Sequence, residues 1–178
     1  RIGIDHFKEI NDNFGQEYGD FVLKKSAECI SGCISEGQKV YKLVADEFLI
    51  LDVSSDKAQD ADKLYDKVRE TIDRFIETNE FKVMYTVSGG IVPFAALKGN
   101  QYAEALKLTD FALNEAKKLG RNRCYIFNGE TYRKFLRKRE ITQELREAVI
   151  NGFQGFTAFY QPVFAEDKKV PYGAEALM

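Results

Sequence analysis

The chain has no surplus of positive charge, no long apolar run and a single histidine, and each shortage removes a class of function. Its 178 residues carry 26 Lys and Arg against 28 Asp and Glu, a net charge of −2 with a pI near 5.6. That balance builds no polycationic surface, so nucleic acid polymers are not expected as partners. No apolar run approaches the roughly 20 residues that cross a bilayer, and no signal peptide opens the chain. The first residue is Arg1, inside what reads as a strand, so an upstream sensor or membrane segment would not be visible. His6, the one histidine, reads as a packed or surface residue rather than a base. Of the three cysteines, Cys29 and Cys33 stand one helical turn apart and Cys124 is isolated, without the second pair that a metal site needs. They read as small apolar residues on a packed helix in a reducing compartment. Internal repeats and low-complexity tracts are absent.

What is present is an ordinary globular composition, 44% apolar and 30% charged, with enough length to bury one good core. The apolar spacing alternates between strand and helix periods. Ile2 to Phe7 reads as a strand, then Gly19 to Ile34 as a helix with Leu23, Ala27, Ile30 and Ile34 on one stripe. Lys39 to Leu43 and Phe48 to Val53 form a hairpin. Asp60 to Thr78 is a helix facing inward through Ala61, Leu64, Val68, Ile72 and Phe75, and Phe81 to Val92 a strand. Asn100 to Leu119 is a third helix, with Gly120 placed to end it, and Cys124 to Phe127 a last strand. Alternation of this kind predicts an α/β (α+β) sandwich with a mixed central sheet. Beyond Phe127, the basic run Tyr132 to Arg139 reads as a solvated helical linker, followed by a helix from Gln143 to Phe153 and a strand from Phe156 to Phe164.

The run Gly3-Ile-Asp-His-Phe-Lys-Glu-Ile-Asn-Asp-Asn-Phe-Gly-Gln-Glu-Tyr-Gly-Asp20, with Val44-Ala-Asp-Glu-Phe48 some two dozen residues on, resembles the GGDEF family of diguanylate cyclases. The resemblance implies a ferredoxin-like, nucleotide-cyclase-like sheet and a reaction joining two GTP molecules into cyclic di-GMP, with Mg²⁺ as cofactor. In that family the metal carboxylates come from the end of the first strand and the third residue of the signature hairpin. Here the hairpin supplies Asp46, next to Glu47, as the candidate catalytic and metal residues, while Gly3 stands at the strand position and offers no ligand. Asp5 lies two residues on, about 6.6 Å at strand rise, too far to replace it without moving the strand. Val44 and Ala45 occupy the places of two glycines that let the backbone lie against a triphosphate. Val44, being β-branched, disfavours positive φ, so either the turn changes shape or a side chain intrudes.

The nucleotide-binding set is better kept. Asn11 and Asp20 match the pair that reads the guanine edge, Gly15 and Gly19 keep the turn between them, and Lys117 and Arg121 match the cations that hold the terminal phosphates. The Arg-x-x-Asp motif for product inhibition is absent near Ser35 to Gln38.

Phe159-Tyr-Gln-Pro-Val163 and Gly173-Ala-Glu-Ala-Leu-Met178 are similar to the opening strands of an EAL cyclic di-GMP phosphodiesterase, with Glu175 at the metal-binding glutamate. The implied organisation is a GGDEF-like domain over 1–128 with its N-terminal part missing, a linker over 129–144 and the start of an EAL domain over 145–178. The expected function is a degenerate, inactive GGDEF domain regulating an attached EAL domain and binding GTP or cyclic di-GMP. An active cyclase and a non-binding dimerisation module stay open as alternatives. The implied setting is the bacterial cytoplasm, with a homodimer as candidate assembly and a parent protein that could be tethered to the membrane upstream.

Overall fold

A computed structural model describes residues 1–55, 57–78, 82–99, 102–165 and 169–177. Phe81, Asn100 and Met178, at the ends of predicted elements, lie outside the described residues. The chain divides into two compact units, Arg1–Gly129 and Glu130–Met178.

The first unit is built on a five-stranded mixed sheet, as the alternating pattern predicts. Its strands are β1 (Ile2–Ile4), β2 (Gln38–Lys42), β3 (Glu47–Asp52), β4 (Val87–Ile91) and β5 (Cys124–Ile126), in the order β2-β3-β1-β4-β5. Neighbours are antiparallel except β4 and β5. Opposite Gly3 stand Glu47 of β3 and Ser88 of β4, which places all three on one face. Ile2, Ile4, Phe48 and Val87 point to the other face, where the core forms with Val22 and Ile30 of α2 (Gln16–Cys33) and with Val68 and Ile72 of α3 (Ala58–Thr78). The Gly3 face is covered by α4 (Tyr102–Lys118). A Cβ on Gly90 would overlap the backbone of Ala112 and Leu113, so α4 sits as close to β4 as a glycine allows.

The helix faces are rotated from those read in the sequence. In α2 the buried positions are Gly19, Val22, Ser26, Ile30 and Cys33, because the Ser26 hydroxyl and the Tyr85 hydroxyl hydrogen-bond at 2.9 Å inside the core. Burial pushes the Tyr85 phenol up to about 12. In α3 the inward residues are Tyr65, Val68, Ile72 and Ile76, the Tyr65 hydroxyl donating to the Val87 carbonyl at 2.8 Å. The cysteines are free, and the Cys33 thiol donates to Thr71 Oγ1 at 3.3 Å.

Two boundaries differ more substantially. Strand β1 stops at Ile4, and a helix absent from the sequence reading, α1 (Phe7–Phe14), follows; α2 then starts three residues earlier than expected. His6 at φ 56° turns the chain into α1, with its ring bonded to Glu9 at 2.6 Å, and Gly15 at φ 83° breaks the two helices apart.

The turn from β1 into α1 is pinned by Asp5, which is 2% exposed. Its carboxylate accepts from Thr86 Oγ1 and Ser88 Oγ, both at 2.7 Å, and from the Asn122 backbone N–H at 3.2 Å. Removing it strands the buried Ser88 hydroxyl and takes the acceptor from the part-buried Thr86 and Asn122 bonds, at about 1–3 kcal/mol for a lost charged acceptor. Asp5→Ala is expected to lower stability by about 3 kcal/mol and Asp5→Asn by less, read from the urea midpoint at unchanged slope.

In the second unit, α5 (Gly129–Ile150) runs unbroken through the basic stretch and past Gln143, where the sequence pattern had suggested a separate helix. Its charges pair along the helix, Lys134 with Glu130 at 2.8 Å and Arg137 with Glu140 at 3.4 Å. Strands β6 (Phe159–Phe164) and β7 (Pro171–Leu177) form an antiparallel hairpin that places Gln161 opposite Glu175, both exposed. Among the described residues no helix is long and apolar enough to cross a membrane.

Candidate functional site

Three chain segments meet at the C-terminal end of β1. The Ile4 N–H donates to the Asp46 carbonyl at 3.2 Å, tying the β2–β3 turn to the strand. Asp5 holds Asn122 of the loop after α4, and Lys117 of the last turn of α4 reaches back over Gly3. The Asp46 backbone and the Lys117 side chain are thereby brought to the end of β1, with Arg121 next to the Asn122 that Asp5 holds.

The hairpin keeps a tight turn with Val44 outside the left-handed region, as its β-branching requires. Val44 avoids positive φ, Ala45 takes it instead at 54°, and the turn closes with the Glu47 N–H on the Val44 carbonyl at 3.3 Å. Alanine bears that conformation at modest cost, where a β-branched residue would not. Val44 is 86% exposed. The Lys42 ammonium caps the turn on the Leu43 carbonyl at 3.0 Å and on the Ala45 carbonyl, and partial burial lowers its pKa. Glu47 is engaged elsewhere: Arg1 holds its carboxylate through Nε at 2.6 Å and through a terminal guanidinium nitrogen, and also reaches Asp110 at 3.2 Å.

The carboxylates left here do not fit Mg²⁺. Gly3 has no side chain, Asp5 is committed to Thr86, Ser88 and Asn122, and Glu47 to Arg1. Asp46 alone is uncommitted, and among the described residues no group of three or more His, Cys, Asp or Glu is placed to hold a metal ion. A cation that demands an octahedral oxygen shell finds one protein ligand and a lysine.

Asn11 and Asp20, the residues expected to read the base, lie on α1 and α2. Asn11 lies in α1 with its side-chain oxygen buried and without a hydrogen-bond partner, packed against Gly19. The structure corrects the role of Gly19: it lies inside α2 rather than in a turn, and a Cβ there would overlap Asn11 Oδ1. Asp20 follows it, exposed on α2. Gly19→Ala is therefore expected to displace the Asn11 amide and weaken guanine nucleotide binding about tenfold while the fold persists, checked by titration alongside circular dichroism.

Sequence reasoning missed α1, the Asp5 clamp, the contact of Lys117 with Gly3 and the hold of Arg1 on Glu47. Only the clamp left a signal, in the i, i+2 spacing of Gly3 and Asp5. A separate cleft of about 600 Å³, lined by Leu49, Leu51, Ile91, Phe94 and Leu106, lies beside Arg1 and Ile2. It touches Lys42 and Leu43 but none of Asn11, Asp20, Lys117 or Arg121, so it is not the nucleotide site read from the sequence.

Comparison with known proteins identifies the family of the first unit. The family model for the diguanylate cyclase GGDEF domain matches residues 1–123. The cyclic di-GMP phosphodiesterase NbdA of Pseudomonas aeruginosa is 28% identical over 178 residues, 99% of this chain and 22% of that protein. The probable diguanylate cyclase DgcT of Escherichia coli is 32% identical over 132 residues, 70% of this chain and 28% of that protein. The active GGEEF domain of a diguanylate cyclase from Vibrio cholerae superposes with a TM-score of 0.61 at 32% identity, covering 71% of this chain and 80% of that one. The chain thus spans about a quarter of the length of these curated relatives.

Proposed function

The chain belongs to the GGDEF diguanylate cyclase family of cyclic di-GMP signalling proteins, and we propose that it is a degenerate member that binds a guanine nucleotide, does not turn it over, and regulates an attached EAL phosphodiesterase. The observation that carries this reading is the asymmetry between the two halves of the site. At the base end Asn11 keeps a buried amide oxygen without a partner, held against the bare Cα of Gly19 beside Asp20. An orphan buried polar atom costs roughly 1–3 kcal/mol, which a ligand that settles the amide's hydrogen bonding returns. At the reaction end the carboxylate of the first strand is replaced by Gly3 and the signature glutamate is bound to Arg1.

The regulatory half of the proposal rests on the second unit. Its β6–β7 hairpin carries the Phe159-Tyr-Gln-Pro-Val163 and Gly173-Ala-Glu-Ala-Leu177 segments, with Glu175 as the metal ligand of an EAL site whose other ligands would come from further sequence. Similarity over the full chain to a protein named as a cyclic di-GMP phosphodiesterase supports a GGDEF-like body over 1–128, a linker over 129–144 and the opening of an EAL domain over 145–178. The test at the base end is amide NMR. GTP, and not ATP, is expected to shift the Asn11 side-chain amide and the Asp20 backbone resonance, whereas unchanged spectra with both nucleotides would remove the reading.

A further inference from the structure

We propose that Arg1 is a lock on the hairpin glutamate: its guanidinium draws Glu47 away from the end of β1, ties it to α4 and keeps divalent cations from the oxygens gathered there. The lock involves no nucleotide and is independent of the guanine reading above. Glu47 stands opposite Gly3 in the β1–β3 ladder, and the α4 side chains against Gly3 are Leu113 and Lys117. Arg1, two residues back along β1 and on the same face, takes the Glu47 carboxylate and meets α4 at Asp110 and Leu106. Those positions come about one turn and two turns before Leu113. The glutamate side chain thus leans toward the start of α4 and away from the turn that carries Asp46.

The contacts converge on one planar cation. A terminal nitrogen of the guanidinium meets Glu47 Oε2 and, at 3.2 Å, Asp110 Oδ1. The Nε–H donates to the same Glu47 oxygen at 2.6 Å, and the other terminal nitrogen donates to the Leu106 carbonyl at 3.2 Å. The Arg1 and Glu47 side chains are only 16% and 18% exposed, so salt screens the pair less than a surface pair. The Arg1 backbone is anchored too, its terminal amine donating to the Gly90 carbonyl at 2.8 Å. A guanidinium suits such a set because its donors fan out in a fixed plane, which the point charge of a lysine cannot copy. Without it, two like charges and a carbonyl share one nest, the oxygen donors that a hard divalent cation prefers. Asp110 and the Leu106 carbonyl belong to α4, so this nest is not the pair of strand and hairpin carboxylates that the family spacing points to.

The test is titration of Mn²⁺ into the 178-residue chain and its variants, with the free ion followed by electron paramagnetic resonance and folding by circular dichroism. Arg1→Leu is expected to bind Mn²⁺ at least about tenfold more tightly than the unmodified chain, and Arg1→Leu combined with Asp110→Asn to lose that gain. Arg1→Lys, which keeps the charge but not the fork, is expected to fall between the two. In the unmodified chain the Arg1 Nε–H is expected to exchange with water at least about tenfold more slowly than that of Arg137, whose side chain is 64% exposed. Mn²⁺ affinity that Arg1→Leu leaves unaltered, a gain that survives Asp110→Asn, or equal exchange of the two arginines overturns the lock. Should Arg1→Leu not fold, the exchange measurement on the unmodified chain decides alone. Guanine binding is untouched by any of these outcomes, so the two readings fail separately.

Discussion

Incubated with GTP and either Mg²⁺ or Mn²⁺, the chain is expected to yield no measurable cyclic di-GMP, with turnover at least about 10²-fold below an ordinary family member. The reaction needs positive charge fixed on the α-phosphate as the 3′ hydroxyl attacks and pyrophosphate leaves. A pair of carboxylates would place that charge, and here the strand contributes Gly3 and the hairpin keeps only Asp46 uncommitted. The Lys117 ammonium beside Gly3 is not a divalent ion able to bridge attacking and leaving oxygens. Loss of one preorganised charge commonly costs about 10²–10³ in rate, and product at an ordinary rate, followed by chromatography, would refute the assignment of Gly3 as a lost ligand.

Asp20→Ala is expected to abolish the preference for GTP over ATP, a change of about tenfold or more, while Asp46→Ala leaves that preference as it was. The distinction follows from where the two carboxylates sit. Asp20 is on α2 next to Gly19, which receives the Asn11 amide, and can accept from the ring N–H and exocyclic amine that guanine has and adenine lacks at that edge. A polar group facing the wrong edge goes unpaired, at roughly 1–3 kcal/mol. Asp46 sits in the β2–β3 turn, its carbonyl accepting from the Ile4 N–H, on a different segment from Asn11 and Asp20. Competition binding with the two nucleotides on both variants measures the difference directly.

The sheet was legible from short apolar runs bounded by polar segments, as in Phe48 to Leu51, and α4 because Gly120 and the lysines before it mark an end. Helix α1 was not legible, since His6 in the left-handed region and Gly15 at φ 83° are three-dimensional punctuation that apolar spacing does not carry. The face of α2 came out rotated because Ser26 is buried by a hydrogen bond to Tyr85, a polar residue that a hydrophobic pattern counts as outward. Val44 was expected either to change the shape of the turn or to intrude on the site; the positive φ falls one residue later, on Ala45, and the valine stands exposed. At the site, family spacing identified Asn11, Asp20, Lys117 and Arg121 as a set, yet 114 residues separate Gly3 from Lys117 in the chain. Only the packing of α4 on β1 brings the ammonium to the glycine, a proximity that residue spacing does not carry.

The account turns on whether a chain with a dismantled metal end still selects guanine. Calorimetric titration of the unmodified chain with GTP and with ATP, at nucleotide concentrations up to the millimolar range, decides it. The expected result is saturable binding of GTP, at least about tenfold tighter than ATP. Equal affinity for both nucleotides, or binding of neither, would contradict the account and leave a dimerisation or packing module in its place.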